Sequence, residues 1–310
     1  MATLLPLFRA ASEADQPRHP EPAEAWLRYI VGPRVGRHRT CVVGFDGGTP
    51  VGFGCMNHEV ATNQDMLYGD IWIHPERHAD ATVALLAGFK AYALGRGCTR
   101  LVTGFSEFAG FESVFLAEGG RKVSEERRSQ LEAATVDRAR FTAWAAPSEK
   151  NAHYRIEAYV GRTPEHLLLP LVTANEAMHD APLGDLEFEF PAPDPERRRA
   201  GDALNEAAGV RNHVIAAVAE DGAVAGFHEM FVVPGFRMAD VGNTGVPAKF
   251  RGHGLGLRLK ADLMLRVLAA EPEVEVVSTW NASDNRPMLR VNETLGYVKC
   301  EAWSNWQFDL

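Results

Sequence analysis

The 310-residue chain has four cysteines, Cys41, Cys55, Cys98 and Cys300, and no two of them form a CxxC pair. That spacing excludes a zinc ribbon and suggests no disulfide framework, so reduced thiols and no metal site are expected. No apolar run approaches the length of a membrane span. The opening stretch MATLLPLFRAASEADQ breaks its apolar run at Pro6 and Arg9, so no secretory leader is expected. Basic residues are the minority: 32 Lys and Arg stand against 41 Asp and Glu, a net charge of −9. Such a balance leaves no basic footprint for nucleic acid as the main partner. These absences together lead to the expectation of a soluble, cytoplasmic protein with reduced thiols.

A 46% hydrophobic fraction is ordinary for a chain with a real core, and 310 residues suit two domains better than one. Along the first half, TCVVGFDGGTPVGFGCM reads as a hairpin around an Asp-Gly-Gly turn. LYGDIWIHPE is a strand, ADATVALLAGFKAYALGRG a helix, TRLVTGFSE a strand and FESVFLAEGG a short helix. The second half repeats that order. HVIAAVAEDGAVAGFHEMFVV is a hairpin around Asp221-Gly222, and FRMADVGNTGV a strand. LGLRLKADLMLRVLAAEP is an amphipathic helix with Leu255, Leu259, Leu263 and Val267 on one face. EVEVVSTWNA is a strand and NRPMLRVNETLGY a helix. The repeated order predicts a duplicated α/β domain. The boundary is expected in AAPSEKNAHY, giving domains 1–149 and 150–310. The helix opening the second domain is expected just after Pro164.

Between the strand ending near Val246 and the helix after it lies Arg251-Gly252-His253-Gly254-Leu255-Gly256. A helix N-terminus carries unpaired N–H groups and partial positive charge, and glycines there let an anion approach. The run therefore reads as a diphosphate cradle, although a turn that only redirects the chain would look the same in isolation. No Lys-Ser or Lys-Thr follows the glycines, which excludes a P-loop. A dinucleotide-binding loop would follow the first strand of a βαβ unit, not a hairpin and a third strand.

The spacing Arg251-x-x-Gly254-x-Gly256 resembles the acetyl-CoA loop of the GCN5-related N-acetyltransferase (GNAT) superfamily. The last helix matches as well: Asn285, Met288, Val291, Asn292, Glu293, Leu295, Gly296 and Tyr297 fall in the family's closing pattern. The resemblance covers roughly residues 190–310 clearly and the first half faintly, so the chain looks like a tandem GNAT protein. It implies two tandem GNAT domains, each a mixed, mostly antiparallel sheet flanked by helices. It further implies that acetyl-CoA binds the C-terminal domain. Thr244 and Val246 would sit on the splayed strand, Arg251, Gly252, His253, Gly254, Leu255 and Gly256 in the diphosphate loop, and Asn281 and Asn285 along the CoA arm. Capping is the competing reading of the two asparagines, weighed most for Asn281.

Placing Ile73 where Val246 stands puts Ala81 and Val83 at the glycine positions and His78 at Arg251, with Asp80 in the same turn. A Val side chain blocks close approach and an Asp repels a diphosphate. The N-terminal domain is therefore expected to be degenerate.

Acyl transfer to an amine needs a neutral nucleophile, an oxyanion donor and a proton for the leaving thiolate. The resemblance makes the Val246 N–H the donor. Where many relatives carry a Tyr acid, this chain has Asn292, which cannot donate a proton at a useful pKa. Glu229 and Asp240 are the candidate bases, against the plainer reading of each as a strand-face or edge charge. His213 and His228 are read as structural, Tyr297 as core, and Trp280, Trp303 and Trp306 as core or pocket wall. Asp180, Asp185 and Glu187 are compatible with a cationic amine acceptor. The expected function is an acetyl-CoA-dependent N-acyltransferase acting directly, in a ternary complex, on a small-molecule amine. The alternatives are a mycothiol-synthase-like enzyme, a non-catalytic CoA-binding sensor, or a scaffold without CoA.

Overall fold

The structure is a computed structural model and describes residues 2–18 and 23–310. Residues 19–22, within the proline-rich stretch near the start, lie outside the described part. The chain divides into two compact units, and the division is not one cut at 149/150. Unit 1 comprises Met1–Arg128, Leu183–Pro191 and Cys300–Leu310; unit 2 comprises Ser129–Pro182 and Ala192–Lys299.

Unit 1 opens with two short helices, α1 (Leu5–Asp15) and α2 (Glu24–Val31). The expected hairpin follows as β1 (Arg37–Asp46) and β2 (Thr49–Glu59), turning through Gly47 and Gly48. Then come β3 (Met66–Ile73), α3 (His78–Gly95), β4 (Arg100–Ser106) and α4 (Glu112–Ala117). The helix and strands enclose a core that includes Met56, Leu67, Ile71, Leu86, Phe89 and Phe105. The chain's closing strand pairs antiparallel with β4, from Trp303↔Ser106 to Asp309↔Arg100. Trp306 from that strand stacks on Phe105 with ring centroids 5.8 Å apart.

The cysteine expectation needs correction. Cys41 and Cys55 form a disulfide. Hairpin register rather than local spacing pairs them, since Cys41 stands directly opposite Cys55 on β1 and β2. Their Cα atoms are 4.2 Å apart, the close approach of facing residues in an antiparallel ladder. Cys98 and Cys300 take no part in a disulfide.

The strand linking the halves, β5 (Arg121–Glu132), was not anticipated, nor was a helix after it, α5 (Arg138–Ala145), capped by Asp137. Unit 2 continues with β6 (Arg155–Val160) and α6 (Glu165–Ala174), which begins directly after Pro164. A 3-10 segment, Asn175–Asp180, extends α6. Then follow α7 (Pro195–Ala207), β7 (Arg211–Val218), β8 (Val224–Val232), β9 (Met238–Gly245), α8 (Leu255–Ala270), β10 (Val276–Ala282), α9 (Arg286–Leu295) and β11 (Val298–Asp309). All of β11 after Lys299 belongs to unit 1. The unit 2 strands run β10-β9-β8-β7-β6, with the β9–β10 pair parallel and the others antiparallel. The four apolar residues expected on one face of α8 are all at most 1% exposed. Burying a Leu or Val of this kind contributes about 1.5–3 kcal/mol each, which fixes how α8 lies on its sheet. No helix among the described residues is long and apolar enough to cross a membrane.

Candidate functional site

Three local features of unit 2 open a cleft in its sheet. The first is a β-bulge. From Val232↔Ala239 to Met230↔Val241 the β8–β9 register is regular, but His228 pairs with Thr244, so β9 gains one residue opposite Glu229. A bulge of this kind bends its strand and increases local twist. The second is the loss of pairing between β9 and β10. They pair only at Met238–Asp240 with Val276–Ser278, although β9 runs on to Gly245 and β10 to Ala282. The strands part where the bulge begins. The third is the start of α8. Its N-cap is Gly254 with φ 75°, and no side chain bonds the first-turn amides. Most residues avoid that left-handed conformation, and a cap side chain would occupy the N–H groups.

The cleft between the parted strands is about 480 Å³. It is walled by Val241, Gly242, Thr244, Gly245 and Val246 from β9 and just beyond, and by Thr279, Trp280 and Asn281 from β10. It reaches the 251–256 loop and the first residues of α9. Ala177, Met178, Asp180 and Ala181 close one side. An Asn243–Asn175 hydrogen bond of 2.9 Å holds that segment against β9.

Of the residues assigned to a CoA site from the sequence, Thr244, Val246, Arg251, Gly252, Gly254, Leu255, Gly256, Asn281 and Asn285 all line this cleft. His253 does not: its carbonyl accepts from Asn151 Nδ2 at 3.0 Å and its Nδ1 meets the Tyr154 hydroxyl at 2.6 Å, an arrangement that pins the loop from behind. Arg251 turns back, donating from Nε to the Val246 carbonyl at 3.0 Å and pairing with Asp180. The two asparagines differ from the sequence reading in one respect. Asn285 is the cap, accepting from the Met288 N–H at 3.3 Å, whereas Asn281 accepts from Asn292 Nδ2 at 2.6 Å.

The glycines separate the two readings of the loop. Positive φ at Gly252 and Gly254 is what any sharp turn would require. Gly256 lies inside α8 with ordinary helical backbone, and an added Cβ there would meet no atom within 4 Å. Neither backbone nor packing explains that glycine. Space on the cleft side of the helix N-terminus does, and a diphosphate fits there: free amides, partial positive charge and no side chain in the way.

The three residues assigned to catalysis lie outside the cleft lining. Glu229 is buried and pairs with Arg198 Nη1 at 2.6 Å, in a network that includes Asp202 and Thr163. Asp240 stands at the last paired position of β9, opposite Ser278. Asn292 is buried behind Asn281, with its Oδ1 unbonded. Asp185 and Glu187 belong to unit 1, and only Asp180 of the three acidic loop residues lines the cleft. His213 is structural, bonded to Glu271 at 2.7 Å, and Tyr297 is core.

Of the charged residues that line the cleft, one escaped the sequence reading. Lys260 is 2% exposed and lines the cleft. Burial pushes its amine down to about 7. His228 on β8 lies close to it, fully buried, with Nδ1 bonded to Thr244 Oγ1 at 2.8 Å and Nε2 unbonded. Burial, helped by the nearby lysine, holds His228 well below its ordinary pKa and therefore neutral. The signal was present: Lys260 is a charged residue one position after Leu259, between Gly256 and Met264 on a face otherwise without charge.

No family model matches the sequence, and no curated protein matches it. Solved structures do match. A tandem GNAT protein from the clavulanic acid biosynthesis pathway, solved without acetyl-CoA, is similar at a TM-score of 0.81 and 24% identity over 99% of this chain and 94% of its own. A GCN5-related N-acetyltransferase from Sphaerobacter thermophilus is similar at 0.70 and 16% identity over 99% and 91%. A GNAT-family acetyltransferase from Colwellia psychrerythraea is similar at 0.59 and 13% identity over 99% and 97%. At these identities the likeness is one of fold, and the chain has the tandem GNAT fold, with mixed α/β sheets flanked by helices.

Proposed function

We propose that this protein is an acetyl-CoA-dependent N-acyltransferase that acts on a small-molecule amine through the cleft of unit 2. The observation that carries the reading is the parted β9–β10 pair leading to the uncapped N-terminus of α8, where Gly256 serves no purpose of its own fold. In this reading the amides of Gly252 to Gly256 hold the diphosphate, and the backbone of Thr244 to Val246 holds the pantetheine arm. The Val246 N–H is the proposed oxyanion donor, stabilising negative charge on the carbonyl oxygen during transfer. Acetyl-CoA supplies the activated acyl group. The cleft positions the acceptor amine against it, and direct transfer in a ternary complex needs no covalent enzyme intermediate. The fold analogy supports the cofactor better than it supports any particular acceptor.

A second reading has one observation in its favour. Glu229, Asp240 and Asn292 all lie outside the cleft lining, as expected if the site binds CoA without turnover and senses it. Release of CoA thiol from acetyl-CoA, measured across a panel of small amines, separates the two. Acceptor-dependent release supports the transferase. CoA binding with no release across the panel supports the sensor.

A further inference from the structure

Two facts meet at Lys260. The residues of α9 that line the cleft, Pro287, Met288 and Val291, can neither give a proton nor offset a charge, so a leaving sulfur finds no help there. The cleft lining contains three side chains whose charge matters: Asp180, Arg251 and Lys260. Asp180 and Arg251 pair with each other, and both are about half exposed. Lys260 is 2% exposed and has neither a carboxylate partner nor a hydrogen bond among the described residues. The Tyr297 ring lies 5.9 Å from Nζ. A buried ammonium is expensive unless paired, and a fold that keeps one unpaired leaves room for an anion to come from outside the chain.

We propose that the Lys260 ammonium stabilises the departing sulfur as a thiolate in the cleft. This rests on the reading of the cleft as an acyl-CoA site. In the step, the acceptor nitrogen bonds to the acyl carbon as the carbon–sulfur bond breaks. The electron pair of that bond goes to sulfur, which leaves as a thiolate paired with the Lys260 ammonium. The proton lost by the acceptor nitrogen passes to solvent, and the thiolate takes one from solvent on release, so the enzyme is unchanged. The groups facing Lys260 are suited to this. His228 on β8 is held neutral, the Tyr297 hydroxyl after α9 is pushed far above its ordinary pKa by burial, and Asp180 is taken by Arg251 on the exposed side. Burial has brought the Lys260 amine to about 7 with no anion beside it, and a thiolate at that position favours the ammonium.

The test compares CoA with desulfo-CoA, which lacks the sulfur, on wild-type protein and Lys260→Met. Binding affinity and ultraviolet thiolate absorbance are read at several pH values. On the wild type, bound CoA shows thiolate absorbance near neutral pH and binds about tenfold tighter than desulfo-CoA, an advantage of the size expected for a charge-assisted contact. Lys260→Met loses both the absorbance and the preference, while desulfo-CoA affinity reports that the cleft is intact. An unchanged absorbance and preference in Lys260→Met overturns the proposal. So does a wild type that binds CoA with no thiolate signal at any pH where the fold holds. Absence of all CoA and desulfo-CoA binding overturns the acyl-CoA reading itself, and the proposal with it.

Discussion

The two units cross from strand to helix in different ways, and the difference supports the proposed site in unit 2. In unit 1, β3 keeps an unbroken register with β2 from Gly52↔Ile73 to His58↔Leu67. It pairs with β4 over Met66–Asp70. A short 3-10 turn, Pro75–Arg77, leads straight into α3, and no described residue from Met66 to Arg96 has positive φ. In unit 2 the bulge in β9 parts it from β10 after Asp240, and a loop with two left-handed glycines precedes α8. The buried faces of the helices differ too. Ala81, Leu85, Leu86, Phe89 and Ala93 of α3 are apolar, whereas α8 buries Arg258 and Lys260. Arg258 is satisfied by the Asn151 and Ala145 carbonyls, and Lys260 is not. One repeated plan thus yields a strand pair that holds from Met66 to Asp70 in unit 1 and one that holds only from Met238 to Asp240 in unit 2, where an extra residue in β9 follows.

The largest expected effect comes from making the α8 loop resemble the crossing in unit 1. Gly254→Val places a branched residue at φ 75°, a strain of about 1–2 kcal/mol, and fills the cradle. CoA affinity should fall by about 100-fold or more, roughly 2.7 kcal/mol, with the circular-dichroism spectrum retained. The reciprocal change, Val83→Gly in unit 1, should create no second site. Calorimetry on both variants checks this, and near wild-type affinity in Gly254→Val would break the comparison.

The next effect separates the two helix faces by pH. The Lys260 amine lies lower in the folded chain, at about 7, than its unfolded value of 10.5. Between those values the unfolded chain binds more protons, so stability rises with pH through that window and is lost as pH falls toward about 7. At about 1.4 kcal/mol per pKa unit, this dependence amounts to roughly 3–5 kcal/mol. Lys260→Met should raise Tm at neutral pH and flatten the slope between pH 7 and 10. An unchanged slope in chemical-denaturation curves would show that Lys260 is not the buried group responsible.

Smaller effects follow at the cleft edges. Asn292→Ala removes the bond to Asn281, worth about 1 kcal/mol or roughly fivefold. It should lower turnover more than CoA affinity; equal losses would make Asn292 a binding residue only. Asp180→Asn releases Arg251 and removes a negative charge from the cleft. It should tighten CoA binding by about two- to threefold, since an exposed pair is weak. Looser binding in the same titration would mean that the Arg251–Asp180 pair shapes the cleft.

Much of this contrast was legible in the sequence because it rests on local patterns. Period and turn residues placed both hairpins, α3, α8 and α9, and the glycine spacing located the loop whose residues the structure gathers. What the sequence left hidden depends on pairings distant along the chain. The Cys41–Cys55 bridge follows from hairpin register. The closing strand joins unit 1 by pairing residues nearly 200 positions away, such as Trp303 with Ser106. Glu229 looked available on its strand, yet Arg198 from α7 takes its carboxylate. Lys260 was hidden for the opposite reason, because a lysine on a helix is usually read as solvated, and only packing reveals one that is buried without a carboxylate partner.

The most direct test of the account is calorimetric titration of the intact chain with acetyl-CoA, read for stoichiometry. The contrast between the crossings predicts one site per chain, lost in Gly254→Val and retained in Val83→Gly. Two sites would contradict the reading of unit 1 as degenerate, and no binding would contradict the reading of the unit 2 cleft.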